Sequence, residues 1–429
     1  MKSEVGESDL LKRFAFTIAV LAVFRLGVHI PTPGVNVRAL ISIVDQNNTG
    51  LLRLLNLFSG GALANFSIFA LGIMPYISSS IIMQLMTVVL PTLEQLQKEG
   101  GVGRQKINRI TRGITVILAL VQGYLLSTLL EGAGDTPAGP PVLDPGLSFR
   151  LLSMMVLATG TCFVMWLGEQ ITEKGLGNGT SLLIFAGIVA NLPATLGNMI
   201  SAYRDNQLSL LGIMGILIFC IIIVFLVTLI EQSYRKIPIH YARKVSSNSS
   251  AGVHVSHLPL KLNMAGVIPS IFASTLLAIP VSLAGFTSFK GHPLLSDLNQ
   301  GRWLYHTLFA ICVLFFCYVY ISITFRPEDI AENLKRQNAY IPGIRPGSET
   351  LDALKQVVSR LTLAGAFYMN IIIFLPMILT SSFGQQFNFS GTSLLIVVGV
   401  ALETIRQVSA HLTTQKYDYR ILTSTPPNS

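Results

Sequence analysis

Charge is scarce in this chain. Lys, Arg, Asp and Glu make up 12% of its 429 residues, roughly half the share of a soluble globular protein. That shortage excludes an ordinary water-soluble domain. Cysteine is scarce too. Cys162, Cys220, Cys312 and Cys317 all sit inside apolar runs, with neither metal-ligand nor disulfide spacing, and read as small buried hydrophobes. Catalytic signatures are missing: there is no Walker A segment, no GxSxG and no HExxH. Nothing therefore points to an enzyme, and no cofactor or metal site is expected. Nor does any apolar run carry a carboxylate or histidine near its middle, where an ion- or proton-coupled carrier places one. Glu169, Glu231 and Glu403 fall near the ends of theirs.

Apolar length is abundant. Hydrophobic residues make up 51% of the chain, and the mean hydropathy is +0.59. A bilayer span needs roughly 20 predominantly apolar residues. Ten segments meet that need: 14–30, 73–90, 114–130, 151–167, 181–200, 210–230, 264–284, 304–325, 361–380 and 392–412. The expected fold is an all-α membrane protein with ten transmembrane helices. The opening residues are polar and partly acidic (Glu4, Glu7, Asp9), and the run behind them is as long as a full span, so no cleavable leader is expected.

Basic residues set the orientation. Of the 30 Lys and Arg, Arg25 lies within the first span, while Arg38, Arg53, Arg150, Arg204, Lys290 and Arg302 fall on one side of the membrane. The rest fall on the other side, which the positive-inside rule makes cytoplasmic, together with both termini. The net charge of +9 fits this excess, or nucleic acid or an acidic partner. Ten spans divide into two halves, 1–203 and 204–429. Five is odd, so homologous halves would be inverted, a common plan among transporters and channels.

The stretch 54–90 is apolar but too long for one span. Gly60-Gly61 and then Gly72 with Pro75 interrupt it. The ten or so residues between, 62–71, are too short to cross the bilayer. Residues 58–72 therefore read as a short re-entrant helix inside a cavity, with an amphipathic surface helix as the alternative. Arg25 and His29, four apart on the first span, read as a helix-end or interhelix pair. Two long basic loops, 231–262 and 326–360, complete the pattern. Arg345 sits in IPGIRPGSET, where the Pro-Gly pairs on either side predict a rigid turn with the guanidinium at its tip.

The run FSGGALANFSIFALGIMPYISSSIIMQLMTVVLPTL resembles the SecY/Sec61-alpha family, the channel-forming subunits of the Sec protein translocon. So do VFRLGVHIPTPG, WLGEQITEKGLGNGTSLLIFAGIVA, HLPLKLNMAGVIPSIFAS, IPGIRPG with RLTLAGA, and GTSLLIVVGVALE. The similarity runs in order along nearly the whole chain. It implies a clamshell of two inverted five-helix halves with a plug at 58–72: Phe58, Ser59, Gly60, Gly61, Ala62, Asn65, Phe66, Ile68, Leu71 and Gly72. It implies a pore ring of Ile73, Ile77, Ile184, Ile271 and Ile396, with Ser274 or Thr275 as the sixth position. Gln84 and Asn263 would be polar contacts of a lateral gate. Arg104, Lys106, Arg243, Lys244 and Arg345 would dock cytoplasmic partners. The implied partners are SecE and SecG, the SecA motor, the ribosome, signal sequences and nascent chains, and the lipid of the inner (plasma) membrane. One departure stands out: the tip SSNSSAG is neutral, where such proteins usually carry further basic residues. A secondary transporter is the alternative from a different class, since it too uses broken helices at mid-membrane.

Overall fold

The computed structural model describes residues 2–40, 56, 59–132, 139–206, 209–241, 255–284, 303–383 and 391–424. They are mostly helical. In chain order the elements are α1 (Lys2–Val28), α2 (Met74–Val89), α3 (Pro91–Lys98), α4 (Gly101–Glu131), α5 (Leu147–Lys174), α6 (Gly179–Ala190), α7 (Leu192–Arg204), α8 (Leu210–Glu231), β1 (Tyr234–Tyr241), β2 (Val255–Lys261), α9 (Ile268–Ala284), α10 (Trp303–Thr324), α11 (Pro327–Arg336), β3 (Ala339–Tyr340), α12 (Ser348–Phe383) and α13 (Gly391–Ser424). Among the described residues, seven helices are long and apolar enough to cross a bilayer, or eight if the bent pair α2 and α3 counts as one.

The apolar faces of these helices point outward as well as inward. On α8, which has a mean hydropathy of 3.3, Leu211 is 85% exposed and Ile221, Phe225 and Leu229 are exposed too. A helix that is hydrophobic all round and uncovered on one side is built for lipid. The breaks have local causes. Leu90 is extended and precedes Pro91, a residue pair that disfavours helical continuation, and the chain turns by 101° there. The sequence reads 181–200 as one span. The structure interrupts the helix at Asn191, with Pro193 in the first turn of α7, yet α6 and α7 together still make one of the seven spans, Gly179–Arg204.

The chain falls into two compact units. Residues 1–207, 275–306 and 396–429 make the first, and 208–274 with 307–395 make the second. In the first, α5 is the central helix, with Leu157, Val164 and Ile171 fully buried. It packs closely on α4, where a Cβ on Gly123 would lie 3.3 Å from the Cα of Met154. At one end Glu131 accepts from Arg150 Nε at 2.6 Å and from the Gly146 amide at 3.0 Å, which ties α4 to the start of α5.

The second unit joins apolar helices to a small sheet of order β2-β1-β3, antiparallel throughout. Phe272 of α9 meets Phe316 of α10 edge-on at 5.7 Å, and Asn370 of α12 donates to the Ala310 carbonyl of α10 at 3.5 Å. The segments read from the sequence as charged loops, 231–262 and 326–360, hold β1, β2, α11, β3 and the start of α12. Their apolar residues are spaced closely enough to build a small core of Ile239, Leu334, Ala339, Ala331, Ile341 and Leu354.

Candidate functional site

Between α1 and α2 the first unit contains backbone that is buried but not helical. The expected re-entrant helix at 58–72 is corrected here: residues 59–73 run as successive turns, with Ser67 bridged to Pro31. Gly60, Gly61, Phe66 and Gly72 have φ of +67°, +90°, +41° and +54°. These left-handed residues interrupt any right-handed helix. Side chains and distant backbone take over the hydrogen bonds a helix would make. Ser59 Oγ accepts from the Leu63 amide and Ser67 Oγ from the Phe69 amide, each at 3.2 Å, while Asn56 Oδ1 accepts from the Ala64 amide at 2.9 Å. The Ile68 amide donates to the Ile30 carbonyl at 3.0 Å, and the Thr32 amide to the Phe66 carbonyl at 2.9 Å. Ser59, Ala62, Phe66, Ser67 and Phe69 are buried, so the segment lies within the protein and not on a membrane surface. Asn65, Ile68 and Leu71 are half-buried. Phe58 lies outside the described residues.

This segment has a fitted seat. A Cβ on Gly160 of α5 would lie 1.8 Å from the Ile68 carbonyl oxygen, and one on Gly27 of α1 would lie 1.9 Å from the Phe69 ring. The Phe69 ring stacks between Phe24 at 6.0 Å and Phe163 at 5.9 Å. Arg25 turns inward, its Nη1 donating to the Gly60 carbonyl at 2.8 Å, while His29 lies past the end of α1 and is exposed.

The proposed pore-lining residues are largely covered. Ile73 precedes α2, Ile77 lies in its first turn, Ile184 is in α6 and Ile396 is in α13; all four are buried, as is Thr275 on α9. Those five belong to the first unit, and Ile271 and Ser274 to the second. Ile271 is half-buried, and its carbonyl accepts from Ser274 Oγ at 2.8 Å. The two polar residues expected at a lateral gate have partners close by in the chain or within their own unit. Gln84 is half-buried and donates to Ser80 Oγ at 3.4 Å. Asn263 is buried and donates to Glu231 Oε1 at 2.7 Å and to the Gly266 carbonyl at 3.2 Å.

Among the basic residues, Arg104 is exposed on the first turn of α4, and exposed Lys106 lies 3.9 Å from Glu99. Arg345 is exposed at the tip of a turn framed by Gly343 (φ +83°) and Gly347 (φ +117°). Its carbonyl accepts from Thr350 Oγ1 at 2.8 Å, and buried Ile341 anchors the turn on the small core. A groove of about 210 Å³ lies beside it, floored by Ile237, Pro238, Ile341, Ile344, Leu354 and Val357 and edged by Arg235 and Lys236. Lys355 Nζ meets Glu328 Oε1 at 2.9 Å, a hydrogen bond that holds Glu328 below the ordinary carboxylate range. Arg243 and Lys244 lie outside the described residues.

A sequence profile of the SecY family matches residues 67–405. The chain belongs to the SecY family. Its relatives include the protein translocase subunit SecY of Pseudomonas aeruginosa, 44% identical over 97% of this chain and 94% of that one. The SecY of Escherichia coli K12 is 42% identical over 96% and 94%. Among solved structures, a protein-conducting channel superposes with a TM-score of 0.69 at 16% identity, covering 95% of this chain and 93% of that one. A SecY structure described by its plug domain, which stabilises the closed state and maintains a membrane seal, gives 0.68 at 17% over the same shares. Sec61 in a canine ribosome-channel complex gives 0.65 at 14%, again over 95% and 93%.

Sequence reasoning missed two features of this SecY-family site. The seat glycines Gly27 and Gly160 lie in apolar runs, where a small residue signals close backbone approach. That signal is visible in the sequence, but the partner is not. Arg25 drew notice as a charge within a span; its target, the Gly60 carbonyl 35 residues away, carries no side chain to betray it.

Proposed function

We propose that this chain is the protein-conducting subunit of a membrane translocase, which passes unfolded polypeptides across the bilayer and releases apolar segments sideways into lipid. The observation that carries the reading is the turn segment 59–72, buried without being helical inside a helical unit. Non-helical backbone at membrane depth persists only against protein or a water-filled cavity. A seat built from glycines on two helices, Gly27 and Gly160, suits a piece that fits closely and can leave. In this reading 59–72 is the plug.

Ten spans in two inverted five-helix halves, 1–203 and 204–429, would enclose the path, with both termini on the cytoplasmic side of the inner membrane. Ile73, Ile77, Ile184, Ile271, Thr275 and Ile396 would line the waist. Branched apolar side chains resist wetting and make few directional bonds, so such a ring closes on itself at rest and around any sequence in transit. Gln84 and Asn263 would mark the lateral gate. Sideways release follows from partitioning, favourable by about 0.3–0.6 kcal/mol per central Leu, Ile, Phe or Val and opposed by about 2.5–3.5 kcal/mol per charge. No covalent chemistry is required of this chain.

The sheet, the groove and Arg345 would form the docking face for a cytoplasmic ribosome or the SecA motor, and SecE and SecG would complete the membrane complex. The relatives and neighbours above give no support to the secondary-transporter alternative. The test is crosslinking. A secretory chain arrested in transit should crosslink to cysteines placed at Ile77, Ile184 and Ile396, and not to one at the lipid-facing Leu211. Equal yields at all four positions would defeat the channel reading.

A further inference from the structure

Arg25 is the least expected residue in α1. It sits three residues before Val28, where the helix ends, within the run FAFTIAVLAVFRLGV. A cation in such a run is costly and tends to mark function. Among the described residues its guanidinium reaches toward no carboxylate. No ion pair among the described residues includes it. Instead Nη1 donates to one neutral acceptor, the Gly60 carbonyl, at 2.8 Å.

Gly60 is pinched at that point. With φ at +67°, a Cβ there would lie 2.7 Å from the Cα of Gly187 in α6 and 3.0 Å from Arg25 Nη1. The first turn of the segment is thus held between a cation on one helix and the bare backbone of another. The rest of the seat works by shape: Gly27 beneath the Phe69 ring, Gly160 beneath the Ile68 carbonyl, and Phe69 between Phe24 and Phe163. The Arg25 bond is directional and charge-assisted, and a partly buried setting strengthens it. A single carbonyl acceptor can also be exchanged for water or for a polar group of an arriving chain, which an apolar contact cannot.

We propose that Arg25 is the latch of the plug, a positioning residue that holds the Ser59–Gly61 turn against α6 in the closed channel and lets the segment go when its guanidinium finds another acceptor. This rests on the reading of 59–72 as a plug.

The test reports on both separately. A cysteine replaces Asn65, which is half-buried in the segment. A membrane-impermeant maleimide then labels the full-length protein in proteoliposomes, with the four native cysteines measured as background. If 59–72 is a plug, engaging an arrested secretory chain raises the labelling rate in the otherwise unchanged protein. If Arg25 is the latch, Arg25→Met raises labelling of the resting channel roughly tenfold, the loss of one charge-assisted hydrogen bond. Arg25→Lys, which keeps a cationic donor, falls back toward the unmodified rate. A merely structural Arg25 would lower thermal stability without that rescue. Gly60→Ala, whose Cβ would crowd both the Gly187 backbone and Arg25 Nη1, should reproduce the effect of Arg25→Met and serves if that variant does not fold. Labelling that rises on engagement but stays at the resting rate in Arg25→Met and Gly60→Ala overturns the latch alone. Labelling that never rises overturns the plug and the latch together.

Discussion

Gly160 of α5 faces the carbonyl oxygen of Ile68 so closely that a Cβ would lie 1.8 Å from it. Real side chains do not sit at such a distance, and neither side can yield by rotating a bond, because both are backbone. Of the two, α5 is a 28-residue helix and the facing segment is a run of turns, so the turns should move. Gly160→Ala is expected to keep its circular dichroism and to raise resting ion conductance in planar bilayers. Gly113→Ala is the matched control, since nothing lies within 4 Å of the added atom. Equal conductance in the two variants would speak against the seat.

Phe69 is one of the segment's buried apolar anchors, beside Leu63, Phe66 and Ala70. Its ring is buried between Phe24 and Phe163. Phe69→Ala should destabilise the protein by about 3–5 kcal/mol, the usual cost of emptying an aromatic core site. Phe69→Leu, which refills part of the space, should cost clearly less. Thermal unfolding in detergent measures both.

The proposed apolar ring has its own signature. Ile77, Ile184 and Ile396 are all buried. Replacing the three together by Ser removes the apolar seal and supplies hydroxyls for water. The triple variant should leak ions at rest, with unchanged abundance. Each single variant should leak less than the three combined. Resting conductance at the level of the unmodified protein would remove these residues from the ring.

Arg345 separates geometry from charge. The turn that carries it is fixed by Gly343 and Gly347 and anchored by Ile341, so an ordered guanidinium stands ready at low entropic cost. Arg345→Glu should abolish translocation of a secretory precursor into proteoliposomes at matched protein levels. Arg345→Lys keeps the charge but loses the two-pronged donor, and translocation should fall roughly tenfold. Normal rates in both variants would reduce the loop to an ordinary cytoplasmic charge bias.

How much was legible depends on where the information lies. α8 is apolar on every face, so length and hydropathy place it at 210–230 against an observed Leu210–Glu231. The turn segment was half legible. Gly60, Gly61 and Gly72 mark its ends correctly, but its interior reads as helix because Ala62–Leu71 contains no proline or glycine. Long-range bonds decide it: Ile68 to Ile30, Thr32 to Phe66, and the left-handed φ of Phe66. The sheet was hidden for a different reason. Pro238 and Pro259 interrupt YRKIPIHY and VSHLPLK, and each basic residue argues for a loop, yet the two strands pair in full register. The residues proposed for the site came from family resemblance. The contacts that hold the seat were not legible, because several of them involve only backbone and missing Cβ atoms.

The sheet also changes how the second unit would respond to a push. β1 begins three residues after α8 ends, and Leu262 donates to the Ser233 carbonyl at 3.0 Å, so the ladder continues to the foot of the helix. Just beyond β2, Asn263 holds Glu231, the last residue of α8, at 2.7 Å, ahead of α9. On the α8 side the hairpin is tied directly to the helix, while six residues of bend and turn lead from β2 to α9. Eight paired residues make a lever arm about 26 Å long. A torque applied at its far end arrives at the foot of α8, as a handle turns a shaft.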